Sequence, residues 1–484
     1  MIDIFPGSGP ADKVHFAMTR EGQLLELLVP LRRGEGPLHG QVERALRDAI
    51  RSGRLAADMP LPSTRALAQS LEVSRGVVFE AYSQLTAEGY LVARQGAATR
   101  VTSRAAPTGP RARADRTLQN LTGTHDLMPG RPDLSAFPRD LWLAAMRRAL
   151  RRVPDAALGY PDPRGAAELR DALGAYLARA RAVMPDPQRT VVTAGVTQGV
   201  VLLSRVLREE GHSVLAVEDP GFHLHRWSVE RAGLEPLAVR VDEQGLDVAA
   251  LAATGARAVL VTPAHQMPTG VVLSASRRAD LLAWADETDG LVIEDDYDAE
   301  YRFDREPIGA LQGVDPHRVA YAGSASKSLA NALRLGWLVL PERLARPVAW
   351  DRLTVDGGGP VLDQLAFADL LARGDIDRHL RRTRRLYRRR REALVGALAE
   401  HLPEGRVLGA AAGLHATVCL PGSLDEDRLS AEMREAGVTC HSLREMRMAP
   451  GPPGLVMGYA HLSEPAIERA VAALGAAVRR ASAT

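Results

Sequence analysis

GSASKSLANALRLG, residues Gly323–Gly336, contains the lysine whose reading decides the fold. The chain has 61 basic residues but only two lysines, Lys13 and Lys327; all the others are arginine. A guanidinium stays protonated and cannot form an imine, whereas a lysine amine can once its pKa is lowered or a carbonyl is presented to it. A lone lysine between serines is ordinarily a solvated surface group. In a chain that uses arginine wherever plain positive charge suffices, its retention points to covalent chemistry. Ser324, three residues before it, and Arg334, seven after it, suit an anion held near the lysine.

Two more stretches complete the pattern. VVTAGVTQGVVLLSRVL, from Val191, reads as strand, tight turn and helix. The amides of Val196 and Thr197 then open a helix, where free N–H groups and the positive end of the dipole bind phosphate. Taken alone, such a turn is an ordinary strand-to-helix corner. GLVIEDDYDAEYRF, from Gly290, sets acids at the C-terminal end of an apolar strand, where α/β sheets bind ligands. Asp295 there can pair with a protonated ring nitrogen, and Tyr297 can donate to a ring hydroxyl. Clustered carboxylates could instead hold a metal, but the histidine spacing of such a site is missing. An imine-forming lysine, phosphate ligands, an acid for a ring nitrogen and a tyrosine for a phenolic oxygen together describe pyridoxal 5′-phosphate (PLP).

The surroundings read as an α/β body. TVVTAG, SVLAVED, AVLVTP, GLVIEDD and VAYAGS are short, β-branched runs that alternate with amphipathic stretches, which predicts βαβ units and a parallel sheet. From about Ile376 a long helix, RHLRRTRRLYRRRREALVGAL, opens a smaller α/β domain, and its arginines read as a solvated face.

The first hundred residues differ in kind. Between Pro30 and Leu118 there are 14 arginines against 8 acids, a local excess of six positive charges in a chain whose net charge is +2. Such asymmetry points to a nucleic-acid-binding module. PLHGQVERALRDAIRSGRL is helical, with Val42, Leu46 and Ile50 spaced by four. Ser63 is placed to cap a second helix and Ser74 a third, on which Val77, Val78, Ala81, Tyr82 and Leu85 share a face. YLVAR and ATRVTS flank QGA as a small hairpin. Helix, helix, turn, helix and hairpin make a winged helix-turn-helix, whose recognition helix enters the major groove by its N-terminus. Arg75 sits at that end, ready for a guanine edge or a phosphate. Arg65 is placed to hold the backbone, and Gly96 at the wing tip permits close approach to the minor groove. The alternative is an ordinary three-helix bundle with solvated arginines.

Two cysteines exclude a disulfide framework and fit a reducing compartment. The N-terminus has no apolar core of signal-peptide length, and no apolar run is long enough to span a bilayer. A cytoplasmic protein is expected. The expected domains are an N-terminal extension (1–34), the winged head (35–103), a linker rich in Pro, Gly, Ala and Arg (104–125) and a PLP-binding body (126–484) whose small domain covers about 376–484.

The stretch PLPSTRALAQSLEVSRGVVFEAYSQLTAEGYLVARQGAATRV resembles the DNA-binding head of GntR-type regulators, with Gly76 and Phe79 where related heads often carry polar or basic residues. The region from Asp126 onward resembles a fold-type I aminotransferase, through LGYPDPRGAAELRDAL, TAGVTQG, EDPGFHLHR, TPAHQMPTG, EDDYDAEYRF and GSASKSLANALRLG. Head and body together resemble the MocR family of transcriptional regulators over nearly the whole chain. The resemblance implies that Lys327 forms the Schiff base with PLP, Asp295 contacts its ring nitrogen and Tyr297 its ring hydroxyl. Ser324, Arg334, Val196 and Thr197 would hold the phosphate, and Phe222 would stack on the ring. Tyr160 would reach the phosphate of a neighbouring subunit in a head-to-tail homodimer. The asparagine usual before Pro-Thr-Gly is missing and HQMPTG offers Gln266 instead, so that contact is in question. The family function implied is DNA binding by the head and sensing of PLP, or of a PLP–amine adduct, by the body. An active aminotransferase with an appended head is the alternative. Aminotransferases of this type hold the substrate carboxylate with a late arginine; Val456 and Met457 stand there instead, with Arg444, Arg447 or His461 as possible substitutes. The missing clamp favours regulation, with PLP itself, GABA, taurine or another amine as effector and any transamination slow.

Overall fold

The computed structural model describes residues 14–18, 24–28, 31, 34, 36–93, 97–102, 124–303, 308–409 and 412–483. They fall in two compact units, Met1–Arg116 and Thr117–Thr484.

In the first unit, strands β1 (Val14–Met18) and β2 (Leu24–Leu28) form an antiparallel pair. Three helices follow: α1 (Leu38–Arg51), α2 (Thr64–Ser70) and α3 (Arg75–Ala87). The four-residue spacing on α1 does what it predicts, and Val42, Leu46 and Ile50 are fully buried. They meet Leu67 of α2 and Val78, Ala81 and Leu85 of α3 in one core. Ser63 caps α2 by accepting a hydrogen bond from the Ala66 amide at 3.1 Å. Ser74 occupies the cap position of α3 but makes no side-chain cap bond. Two short strands, β3 (Leu91–Val92) and β4 (Arg100–Val101), pair antiparallel as the base of a wing. Leu91 and Val101 tuck into the three-helix core, and Tyr82 donates to the Pro62 carbonyl at 3.0 Å.

The second unit begins with β5 (His125–Asp126), α4 (Arg139–Arg152) and α5 (Ala167–Arg181). Strand β6 (Thr190–Thr193), α6 (Val196–Glu209), β7 (Val214–Asp219), α7 (His223–Arg231), β8 (Glu235–Asp242), β9 (Gly245–Leu246), α8 (Val248–Ala253), β10 (Ala258–Val261), α9 (Ala275–Glu287), β11 (Leu291–Asp296), β12 (Val319–Ser324) and β13 (Gly336–Val339) follow. They build an eight-stranded sheet in the order β6-β13-β12-β11-β10-β7-β8-β9. All five runs singled out in the sequence are strands of it. The sheet is parallel from β12 to β8, but β13 runs antiparallel to both β12 and β6. The βαβ pattern did not anticipate that reversal, because β13 returns with no crossover helix. Buried residues fill both faces, as a mostly parallel sheet requires.

Helices α10 (Glu342–Asp356) and α11 (Val361–Ala372) lead to α12 (Asp375–His401), the arginine-rich helix. Next come β14 (Arg406–Leu408), β15 (His415–Cys419), α13 (Glu426–Glu435), β16 (Val438–Thr439), β17 (His441–Ser442), β18 (Gly454–Gly458) and α14 (Glu464–Ser482). Strands β14, β15, β18 and β17 form an antiparallel sheet, covered by α12, α13 and α14. β5, from the start of the unit, pairs with β16 and brings Asp126 and the loop after it to this side. A two-residue pairing has no periodicity for sequence reading to detect.

Candidate functional site

The C-terminal ends of β6, β7, β11 and β12 converge on a cavity of about 390 Å³, walled on its far side by β15 and β17. Lys327, Asp295, Tyr297, Ser324, Arg334, Val196, Thr197 and Phe222 all line it. These eight positions, spread over 139 residues of chain, come together because α/β crossovers return every strand end to one edge.

Lys327 follows β12. Its Nζ donates to the Gly130 carbonyl at 2.8 Å, an oxygen that also accepts from Asn331 at 3.1 Å. Gly130 has φ +84°, a left-handed conformation that favours glycine, and a Cβ there would lie 2.9 Å from the lysine Nζ. Desolvation lowers the lysine pKa, with Asp298 and Asp295 pulling the other way. An amine with a lowered pKa is the reactive form for imine chemistry.

Alternation along β11 separates the three acids of the Glu-Asp-Asp run. Glu294 accepts from the Leu311 and Gln312 amides, and burial pushes its pKa up to about 7. Asp296 accepts from Arg181 at 2.6 Å and from the Tyr321 hydroxyl at 2.7 Å. Asp295 alone faces the cavity. Its Oδ2 lies 3.3 Å from His225 Nε2, and its Oδ1 is buried with no partner among the described residues. The run therefore does not converge on a metal. An orphaned, buried carboxylate oxygen is costly unless a ligand supplies a donor, and a protonated ring nitrogen is such a donor. Sequence reading missed His225; the histidine three residues after Phe222 was its only trace.

The phosphate end is equally defined. Gly195 (φ +89°) stops β6 and starts α6, leaving the amides of Val196 and Thr197 in the first helical turn. Arg334, itself left-handed at φ +51°, donates to the Ala194 carbonyl and packs against Gly195, where a Cβ would come within 3.0 Å of its Nη2. Ser324 accepts from the Ser326 amide at 3.3 Å and lines the same corner. A helix N-terminus, a guanidinium and a hydroxyl form an anion cradle.

Tyr297 shares its hydroxyl with His265 Nδ1 at 3.1 Å, and the same nitrogen lies 3.1 Å from Asp298 Oδ2. His415 of β15 stacks near His265, with centroids 4.8 Å apart, and sits 3.1 Å from the Pro268 carbonyl. Burial, then His265, drives the His415 pKa down to about 3. His265, Asp298 and His415 present ligand atoms close enough for a cation. Asp298 and His265 form a hydrogen-bonded chain that orients the Tyr297 phenol, while His415 is held by the Pro268 carbonyl. This cluster too was invisible in sequence, since its members lie up to 150 positions apart.

Three expectations fare differently. Gln266 does not line the cavity. Its amide is engaged with Glu218, the Pro220 and Met267 carbonyls and Thr269. Tyr160 is fully exposed on the surface of the unit. Of the clamp substitutes, Arg444 pairs with Asp427, Arg447 lies against Gly451 and His461 Nε2 lies 3.0 Å from the Asp126 carbonyl, while Val456 and Met457 are buried in apolar core. None of these five lines the cavity.

In the head, Arg75 is exposed at the first position of α3 and its Nε donates to Thr64 Oγ1 at 3.3 Å. Phe79, one turn on, is 61% exposed. Arg65 is exposed on α2, and Gly96 lies outside the described residues.

A winged helix-turn-helix and an aminotransferase-type body with a lysine-centred site define the class. Comparison agrees in both parts. The model for bacterial regulatory proteins of the gntR family matches residues 38–101, and that for aminotransferase class I and II matches residues 134–474. The chain is 32% identical to the probable rhizopine catabolism regulatory protein MocR of Rhizobium meliloti, over 93% of this chain and 96% of that one. It is also 32% identical to the HTH-type pyridoxine biosynthesis transcriptional regulator PdxR of Corynebacterium glutamicum, over 90% and 95%. Among solved structures, LysN, the α-aminoadipate aminotransferase of Thermus thermophilus, superposes with a TM-score of 0.69 at 27% identity, covering 77% of this chain and 96% of LysN. The chain belongs to the MocR-type family of HTH transcriptional regulators, in which a GntR head is fused to an aminotransferase-like body. Its cofactor is pyridoxal 5′-phosphate, and the residues at the cavity fit it.

Proposed function

We propose that the body is the sensor of this regulator and that an amino compound meeting the cofactor changes how the heads engage DNA. The observation that carries this reading is the pairing of a desolvated Lys327 with a buried Asp295 whose Oδ1 has no partner among the described residues, in a cavity where no carboxylate clamp comes from β18. PLP, when bound, supplies an aldehyde for an amine and a ring nitrogen that draws electrons. Lys327 supplies the amine that tethers it. Asp295, steadied by His225, holds a proton at the ring nitrogen. Tyr297, oriented by His265 and Asp298, donates to the ring hydroxyl, and Phe222 covers the ring. Val196, Thr197, Ser324 and Arg334 bind the phosphate.

Orientation of a substrate carboxylate is a large part of transaminase rate. A site without that grip binds an amine and responds without turning over efficiently. Exposed apolar residues on the body, including Leu143, Leu150, Leu158, Trp350 and Leu353, support a homodimer in which Tyr160 reaches the partner's phosphate site. Arg75 and Arg65 hold operator DNA, with Ser74 at the same helix end and Gly96 at the wing tip. A cytoplasmic location follows from this role. PLP itself and simple amines are the effector candidates; the Corynebacterium relative is named for pyridoxine biosynthesis and the Rhizobium relative for rhizopine catabolism.

The test titrates amines into the cofactor-loaded protein on its own promoter DNA, following the visible band, the DNA affinity and keto-acid release together. The expected result is a spectral shift and a change in DNA affinity with turnover well below ~1 s⁻¹. Turnover at ordinary enzyme rates with no change in DNA affinity would favour an aminotransferase.

A further inference from the structure

Away from the phosphate cradle, the cavity wall contains two histidines that the cofactor reading leaves unused. His223 opens α7 and His441 belongs to β17; both line the cavity, with ring centroids 5.2 Å apart at 68°. Trp227 packs on His223 at 4.8 Å and Phe222 at 5.2 Å, so that ring is enclosed and only 9% exposed. His441 Nδ1 is pinned 2.7 Å from Glu445 Oε2. His223 Nδ1 is buried and has no hydrogen-bond partner among the described residues. A buried polar atom left unmatched costs free energy that a ligand's hydrogen bond recovers.

Resting on the sensor reading above, we propose that His223 and His441 form the wall that reads the tail of the effector, and that this effector is a primary amine ending in an uncharged hydrogen-bonding group, a hydroxyl or an amide. The other cations of the cavity are occupied. Arg334 donates to Ala194 at the phosphate end, and Arg131 pairs with Asp126. The tail therefore meets imidazole. The charged and titratable groups facing His223 are His441, Glu445, Arg226 and His225. Burial first, then His441, outweighs Glu445 and holds His223 neutral at physiological pH, with its pKa pushed down to about 4. A neutral imidazole nitrogen bonds a hydroxyl or amide with no change of charge. A carboxylate in the same place would be desolvated beside an uncharged ring and would need a proton taken up with it.

A matched pair of amines tests this: 3-aminopropan-1-ol and β-alanine, titrated into the full-length, PLP-loaded protein. Apparent affinity is read from the visible band and, independently, from the shift in melting temperature. The expected result at pH 7.5 is about 10-fold tighter binding of the amino alcohol, the worth of one good hydrogen bond. His223→Leu and His441→Leu each lower alcohol affinity about 10-fold while the cofactor band stays, and His223→Asn, which keeps a hydrogen-bonding group, restores part of the loss. Lowering the pH to 5.5 narrows the preference, because the acid gains a proton partner. β-Alanine binding equal to or tighter than the alcohol at pH 7.5, or alcohol affinity unchanged in both leucine variants and in His223→Asn, would overturn the proposal. A wild-type protein without a cofactor band would instead overturn the sensor reading on which it rests.

Discussion

The head and the body solve opposite problems. In the head the groups proposed to meet DNA lie on the surface and close together in the chain: Arg65, Ser74 and Arg75 are exposed and come from α2 and the start of α3. Its core is one small cluster whose task is to hold α3 outward. In the body the working groups point inward and come from strand ends far apart, and their properties depend on burial and neighbours. Asp295 is poised by an Oδ1 with no partner among the described residues, and Lys327 by a partial desolvation that lowers its pKa. A surface site tolerates change in steps. A buried convergent site fails at once when its central group goes.

The sharpest test of that contrast is Lys327→Ala. The expected outcome is complete loss of the visible cofactor band with the fold intact by circular dichroism; a band that persists would break the assignment. Arg75→Ala probes the surface side. Removing one guanidinium contact is expected to cost ~1–3 kcal/mol of DNA affinity, read by a gel or anisotropy assay, and to leave the cofactor band untouched. A flatter dependence of log affinity on log salt would mark the lost group as a phosphate contact.

Acid separates the two units next. His415 has a folded pKa of about 3, below the ordinary 6.5 of an unfolded imidazole. The unfolded chain then binds the extra proton first. The stability from keeping this ring neutral is complete above pH 6.5 and is lost as pH falls toward 3. About 1.4 kcal/mol per pH unit gives ~2 kcal/mol lost between pH 6.5 and 5, seen as a lower denaturation midpoint of the body. His415→Gln is expected to flatten that slope by the same amount; an unchanged slope would place the acid sensitivity elsewhere. The smallest effect belongs to Ser63→Ala, which removes the α2 cap bond and is expected to cost the head ~1 kcal/mol, read as a shift of its melting transition alone.

The same contrast explains what could be read from sequence. The head was legible because its signals are local: a four-residue period on α1, the Ser63 cap and Arg75 at the mouth of α3. In the body the lysine, the β11 acid and the Gly195 turn were legible because each carries a residue type that chemistry or backbone geometry demands. The groups that tune them were not. His225, His265, Asp298 and His415 matter through contacts made across strands and across domains, and no spacing encodes those. Gln266 shows the reverse error, a residue in a plausible position whose amide is consumed by nearby backbone and side-chain partners. Antiparallel β13 escaped for a related reason, since a short apolar run does not state its direction.

That reversed strand has a consequence for how such proteins diversify. Ser324 closes β12 and Gly336 opens β13, so the tether and the anion-binding guanidinium ride on a single hairpin-like connection between adjacent strands. Gly336 presses on Gly195 so closely that a Cβ would lie 2.6 Å from its Cα, locking that connection to the start of α6. Lengthening or shortening it by one residue would disturb attachment and anchoring together. His223 and His441 lie outside that connection, so changes there leave attachment and anchoring in place.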